Sequence, residues 1–171
     1  MVINIEFTVL VNRLSQEVGM VFKELVTPLV KHELGWSRYG YNFIRVNKGK
    51  ASQTCKHFTI ILTPELIMVC LFPDFAKDRL SVCNMRTNII YINEARWLRL
   101  IPDQSQLDLP EYRAYVISHE IGHILGLGHA TSPACNQTGD PAPTMMQQTL
   151  GIQNCSPSPW PKPNELNDFY L

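Results

Sequence analysis

His119-Glu120-Ile121-Gly122-His123-Ile124-Leu125-Gly126-Leu127-Gly128-His129 is the stretch from which the rest of the chain is read. It has the form H-E-x-x-H-x-x-G-x-x-H. With five positions fixed, a chance match has odds on the order of 10⁻⁵, so the pattern is read as chemistry and not as three unrelated histidines. On a helix, residues i and i+4 share a face about 6 Å apart along the axis. His119 and His123 can therefore each offer one imidazole nitrogen to the same cation. Zinc accepts neutral imidazole nitrogens in tetrahedral geometry, and a catalytic site uses three protein ligands and one open position. Gly126 supplies the route to the third ligand: a glycine tolerates positive φ and ends the helix, so the chain can turn and bring His129 back. Glu120 sits about 100° round the helix from His119. It borders the metal without being a ligand, which suits a general base.

The helix has a legible start. Asp108 and Glu111 form a D-x-x-E capping box, with Pro110 in the first turn. From there to Leu125, the apolar residues Ile117, Ile121, Ile124 and Leu125 recur at helical spacing and are read as the core face. Val116, one turn before the ligands, either packs or walls the site.

The motif resembles that of the metzincin clan of zinc endopeptidases. The resemblance implies zinc ligands His119, His123 and His129, with Glu120 as the base acting on a zinc-bound water. It also implies a methionine in a tight turn downstream. In Pro143-Thr144-Met145-Met146 that methionine is Met145, with Met146 the alternative. A second set of segments is similar to a poorly characterised bacterial metzincin-like domain family of unknown substrate. It comprises Asn93-Glu94-Ala95-Arg96-Trp97, the zinc motif, Ala142 to Thr149, Cys155 and Trp160-Pro161. Two departures from the clan stand out. Gln147 occupies the position where astacin-like enzymes have a tyrosine, and Ala130 follows the third histidine.

The remaining sequence fits one domain over 1–171, with an upper part, 1–129, carrying the zinc helix and a lower irregular part, 130–171. Ile3 to Val11, Tyr41 to Val46 and Phe58 to Leu62 read as strands, and so does Asn88 to Asn93, which alternates enough to be an edge. Ser15 to His32 reads as a helix with Val18, Phe22, Leu25, Val26 and Leu29 on one face, and a short helix is expected near Asn164 to Tyr170. The class is α+β. The resemblance makes it a metzincin-like twisted mixed sheet backed by two long helices, with an irregular C-terminal part carrying the Met-turn. In that clan the strand before the zinc helix lines the cleft and pairs with extended substrate, which makes Asn93 and Ala95 candidate substrate contacts; the other reading is an ordinary strand end. The Pro-rich stretch Pro157 to Pro163 is expected to wrap the domain.

Lysine plus arginine and aspartate plus glutamate balance at 15 each, so no nucleic-acid partner follows. The apolar run Phe58 to Phe72 is too short and too polar to span a bilayer. No signal peptide is visible. None of the five cysteines sits in a C-x-x-C, which argues against a cysteine metal site, and spacing alone leaves their pairing open. The bacterial resemblance implies Cys70–Cys83 and Cys135–Cys155, leaving Cys55 free. Such pairing points to an extracellular or other oxidising compartment. His32 and His57 read as surface residues.

The expectation is a monomeric zinc endopeptidase with one catalytic Zn²⁺ and a peptide or protein substrate. The alternative is a zinc-stabilised binding or structural module that does not cut.

Overall fold

The computed structural model describes residues 2–12, 16–75, 78–99, 105–130 and 135–168. Its elements are β1 (Ile3–Val11), α1 (Gln16–Val30), β2 (Tyr41–Arg45), β3 (Lys56–Thr63), α2 (Glu65–Leu71), β4 (Val82–Asn84), β5 (Ile89–Asn93), α3 (Glu94–Leu98), α4 (Leu109–Ile124) and α5 (Glu165–Asp168). The five strands form one sheet in the order β2-β1-β3-β5-β4. All pairs are parallel except β4 with β5. The fold is therefore α+β with a mixed sheet. Ser15 and Tyr170, at the ends of two expected helices, lie outside the described residues.

Side-chain alternation decides which face of the sheet is covered. The register places Val9, Ile60 and Ile90 side by side, Phe7 beside Phe58, and Leu62 beside Ile92. These residues share one core with Phe22, Val26 and Val30 of α1 and with Tyr115, Ile117, Ile121 and Ile124 of α4. The two long helices thus lie on one face of the sheet. Leu25 departs from the expected face of α1 and is exposed. The opposite face carries polar pairs such as Thr8 Oγ1 with His57 Nε2 at 2.9 Å. It is partly covered where Phe72, just past α2, meets Tyr91 edge to face.

Three expectations need correction. β5 is not an edge: it pairs with β3 on one side and with β4 on the other. Its alternation records one buried face, not an open flank. β4 is the edge on that side of the sheet, and three residues are too few to show a period. The long apolar run divides at Pro64 into β3 and α2, so α2, β4 and α3 enter an order read as β-α-β-β-β-α.

The third correction concerns cysteines. Cys70 and Cys83 are both free, as is Cys55. Cys83 pairs with Ile90 and so faces the α4 side, whereas the end of α2 packs on Tyr91, which faces the other way. Two cysteines on opposite faces of a sheet cannot bring their Cβ atoms together. Cys135 and Cys155 are bridged. With Ala142 and Met146 they form a small second core. The described residues beyond His129 are mostly irregular, as expected. No helix among the described residues is long and apolar enough to cross a membrane.

Candidate metal centre

α4 begins at its capping box: the Asp108 side chain accepts the Glu111 N–H, and the Glu111 carboxylate accepts the Asp108 N–H. It ends at Gly126, whose φ is +98°. There the Gly126 N–H donates to His123 O and the Leu127 N–H to Gly122 O, a Schellman motif. Lys56 Nζ donates to Ile124 O at the same terminus. This stop lets the chain double back within a few residues of His123.

The result is the expected cluster. Nitrogen atoms of His119, His123 and His129 all lie within 4.8 Å of one another. His123 Nε2 and His129 Nε2 are 3.2 Å apart. Two ligands about 2.0–2.1 Å from a tetrahedral zinc would be about 3.3 Å apart. Second partners orient two of the rings. His119 Nδ1 donates to Thr144 O at 2.7 Å, and His123 Nδ1 donates to Leu127 O at 2.8 Å. A carbonyl only accepts, so each Nδ1 carries the proton and each Nε2 presents a lone pair. Burial pushes the His119 pKa down to about 3 and lowers those of His123 and His129, which favours neutral imidazoles. A set of neutral imidazoles with converging lone pairs fits a divalent metal, and the donor set does not choose among zinc and its neighbours in the first transition row.

Glu120 is buried in the same wall, 4% exposed. Burial pushes its pKa up to about 8, and the Cys83 N–H, which donates to its carboxylate, opposes that rise. Cys83 itself is pushed up to about 12, chiefly by burial and then by Glu120. It is a thiol at ordinary pH.

These groups open into a cleft of about 200 Å³. One side is β4 and its flanks, Val82, Cys83 and Met85. The floor is α4 from Tyr112 to His123. The other side is Gln147, Thr149 and Leu150. Glu120 is the one charged residue in this lining, and most of the rest is apolar. Val116 both lines the cleft and packs in the core.

The turn Pro143–Met146 supports the centre from behind. Met145 is fully buried, and its Sδ lies 2.1 Å from where a Cβ on Gly122 would be. Its carbonyl accepts the Ala130 N–H, next to His129. Met146 points instead into the small core around the disulfide. Of the two methionines, Met145 is the one packed against α4.

Asn93 and Ala95 do not line the cleft. Asn93 is 1% exposed, and its side chain caps α3 by accepting the Ala95 N–H. The segment Asn93 to Trp97 clasps α4 instead: Arg113 lies over the Trp97 ring and donates to Trp97 O. Sequence reading missed Gly122, Cys83, Gln148 and Glu165. Only Gly122 had a local signal, as a glycine in mid-helix.

Residues 1–163 match the model of the family DUF3152, whose description is protein of unknown function. The chain belongs to that family. The match takes in every residue of the DUF3152 centre: the three histidines, Glu120, the Met145 turn and both bridged cysteines. A comparison with curated proteins found no match.

Proposed function

We propose that this DUF3152 domain is a zinc-dependent endopeptidase of the metzincin type, with the three histidines as ligands and Glu120 as general base. The observation that carries the reading is the convergence of three neutral imidazoles beside a buried carboxylate, all in the wall of one open cleft. His119, His123 and His129 would hold the ion, and a divalent metal held there supplies Lewis acidity and acidifies a water. Glu120 takes a proton from the attacking water and returns it to the leaving amine, so one water is consumed and one peptide bond broken. The burial that raises the pKa of Glu120 in the metal-free protein makes it a stronger base than a solvated carboxylate. The Cys83 N–H on β4 lies near the Glu120 carboxylate and favours its charged form.

The cleft supports a peptide as substrate. β4 is a sheet edge beside Glu120, and an extended chain can add to such an edge through main-chain hydrogen bonds. Apart from Glu120 the lining carries no carboxylate, lysine or arginine and is largely apolar, which favours apolar side chains over charged ones.

The test is a digest of a denatured peptide library by zinc-loaded protein, by the chelated protein and by E120Q. Cleavage by the loaded protein alone supports the proposal. Uncut peptides in all three arms, with metal bound, favour the alternative of a metal-stabilised module that does not cut.

A further inference from the structure

Glu165 lies 21 residues beyond Thr144 and is fully buried. Its Oε1 accepts the N–H of Thr144 at 2.9 Å and of Lys162 at 2.7 Å, and its Oε2 accepts the N–H of Met145 at 2.8 Å. Burial raises the Glu165 pKa, and the three N–H donors and the Lys162 charge oppose that rise; with no acceptor among these three partners, the set suits a carboxylate better than a carboxylic acid. The Met145 N–H and the Thr144 C=O belong to the same peptide unit. That carbonyl is the one that orients His119, at 2.7 Å. The chain of contacts is continuous: Glu165 carboxylate, Met145 N–H, Thr144 C=O, His119 Nδ1–H, His119 Nε2.

We infer that Glu165 is a positioning residue for His119, acting on the metal-facing nitrogen through a single peptide bond. A negative charge on the N–H side of an amide raises the electron density on its oxygen, because hydrogen bonds in series polarise one another. The Thr144 oxygen then holds the Nδ1 proton more strongly, and the Nε2 lone pair becomes a better donor. In many metal sites a carboxylate contacts the ligating histidine directly. Here the carboxylate and the imidazole are separated by an amide that relays the effect. The relay also locks the turn, since the same carboxylate holds both Thr144 and Met145. Its other anchor is the stretch before α5, which Gln148 grips by donating to Ser158 O and accepting the Ser158 N–H. His32 stacks on Trp160 in that stretch, and the Tyr39 hydroxyl donates to Pro161 O. His123 provides an internal reference. Its carbonyl partner, Leu127 O, has no carboxylate on its amide N–H among the described residues.

This inference rests on the metal-centre reading, but its test separates the two. E165Q removes the charge while keeping shape. In E165Q without metal, the Nδ1 proton resonance of His119 should move upfield while that of His123 stays, and zinc should bind roughly 10–100-fold more weakly. Equal shifts at both histidines, or an unmoved His119 signal with zinc affinity within about twofold of wild type, would overturn the relay. A merely structural role would loosen the whole turn, so the Ala130 N–H resonance, bonded to Met145 O, would move together with that of His119. If E165Q does not fold, the wild-type protein decides. A scalar coupling between the Met145 amide nitrogen and the Glu165 carboxyl carbon, with a downfield move of the Met145 amide proton on zinc loading, supports the relay; absence of both overturns it. A wild-type protein that binds no zinc, yet shows the selective His119 shift in E165Q, keeps the relay and removes the metal reading.

Discussion

The two glycines on either side of His123 are needed for different reasons. Gly122 gives space: a Cβ there would stand 2.1 Å from Met145 Sδ and 3.2 Å from Trp36 Cζ2. Gly126 gives conformation: nothing lies within 4 Å of its Cβ position, but its φ is +98°. G126A should therefore cost about 1–2 kcal/mol, the strain of a left-handed L-residue. G122A forces Met145 to move and should cost about 1–3 kcal/mol by overpacking. It should also disturb the centre, so zinc affinity should fall more in G122A than in G126A at matched loss of stability. Thermal melts with zinc titrations check both. Glu120 adds a pH signature. With burial raising its pKa to about 8 from an ordinary 4.5, the folded metal-free protein binds that proton more tightly than the unfolded chain. Stability contributed by Glu120 therefore falls as pH rises from about 4.5 to about 8. E120Q lacks this titration, so its stability relative to wild type should climb across that window in denaturant melts. A flat difference would mean that Glu120 is not protonated in the folded state.

At the scale of elements, the most legible part of the chain was α4. Its capping box, apolar spacing and glycine stop are all local signals, and each is where the sequence placed it. Its histidines converge because helix period and the Schellman turn leave little freedom between His119 and His129. β1, β2 and β3 were legible for the same reason, through short local runs of apolar, aromatic and β-branched residues. What escaped was set by non-local partners. β4 is three residues long and exists because β5 offers it an edge. The fate of Cys70 and Cys83 depends on which face of the sheet each meets, and spacing carries no such information. Asn93 looked like a cleft residue by position alone, while its side chain is used as a helix cap. The Cys135–Cys155 bridge gives a test at this scale. It closes a span of 20 residues around the Met145 turn, worth about 3 kcal/mol in the chain-entropy model. Reduction should lower the melting temperature and weaken zinc binding. Thiol labelling of the unreduced protein should find three free cysteines, Cys55, Cys70 and Cys83, and a different set would contradict the pairing.

At the scale of the whole molecule, a sheet and two helices hold two of the three imidazoles, and the irregular C-terminal part closes on them. The Met145 turn touches the neighbourhood of each histidine of the cluster: the ring of His119 through Thr144 O, the helix beside His123 through Gly122, and the chain after His129 through Ala130. Glu165 and Gln148 in turn tie that turn to the terminal segment. The centre is thus assembled from both parts, and metal binding should stabilise the fold as a whole. The measurement that tests this most directly is native mass spectrometry of the zinc-loaded protein and of H123A. The account predicts one zinc ion per wild-type chain and an empty, still folded H123A. Full occupancy in H123A would contradict the three-histidine centre on which the proposed function depends.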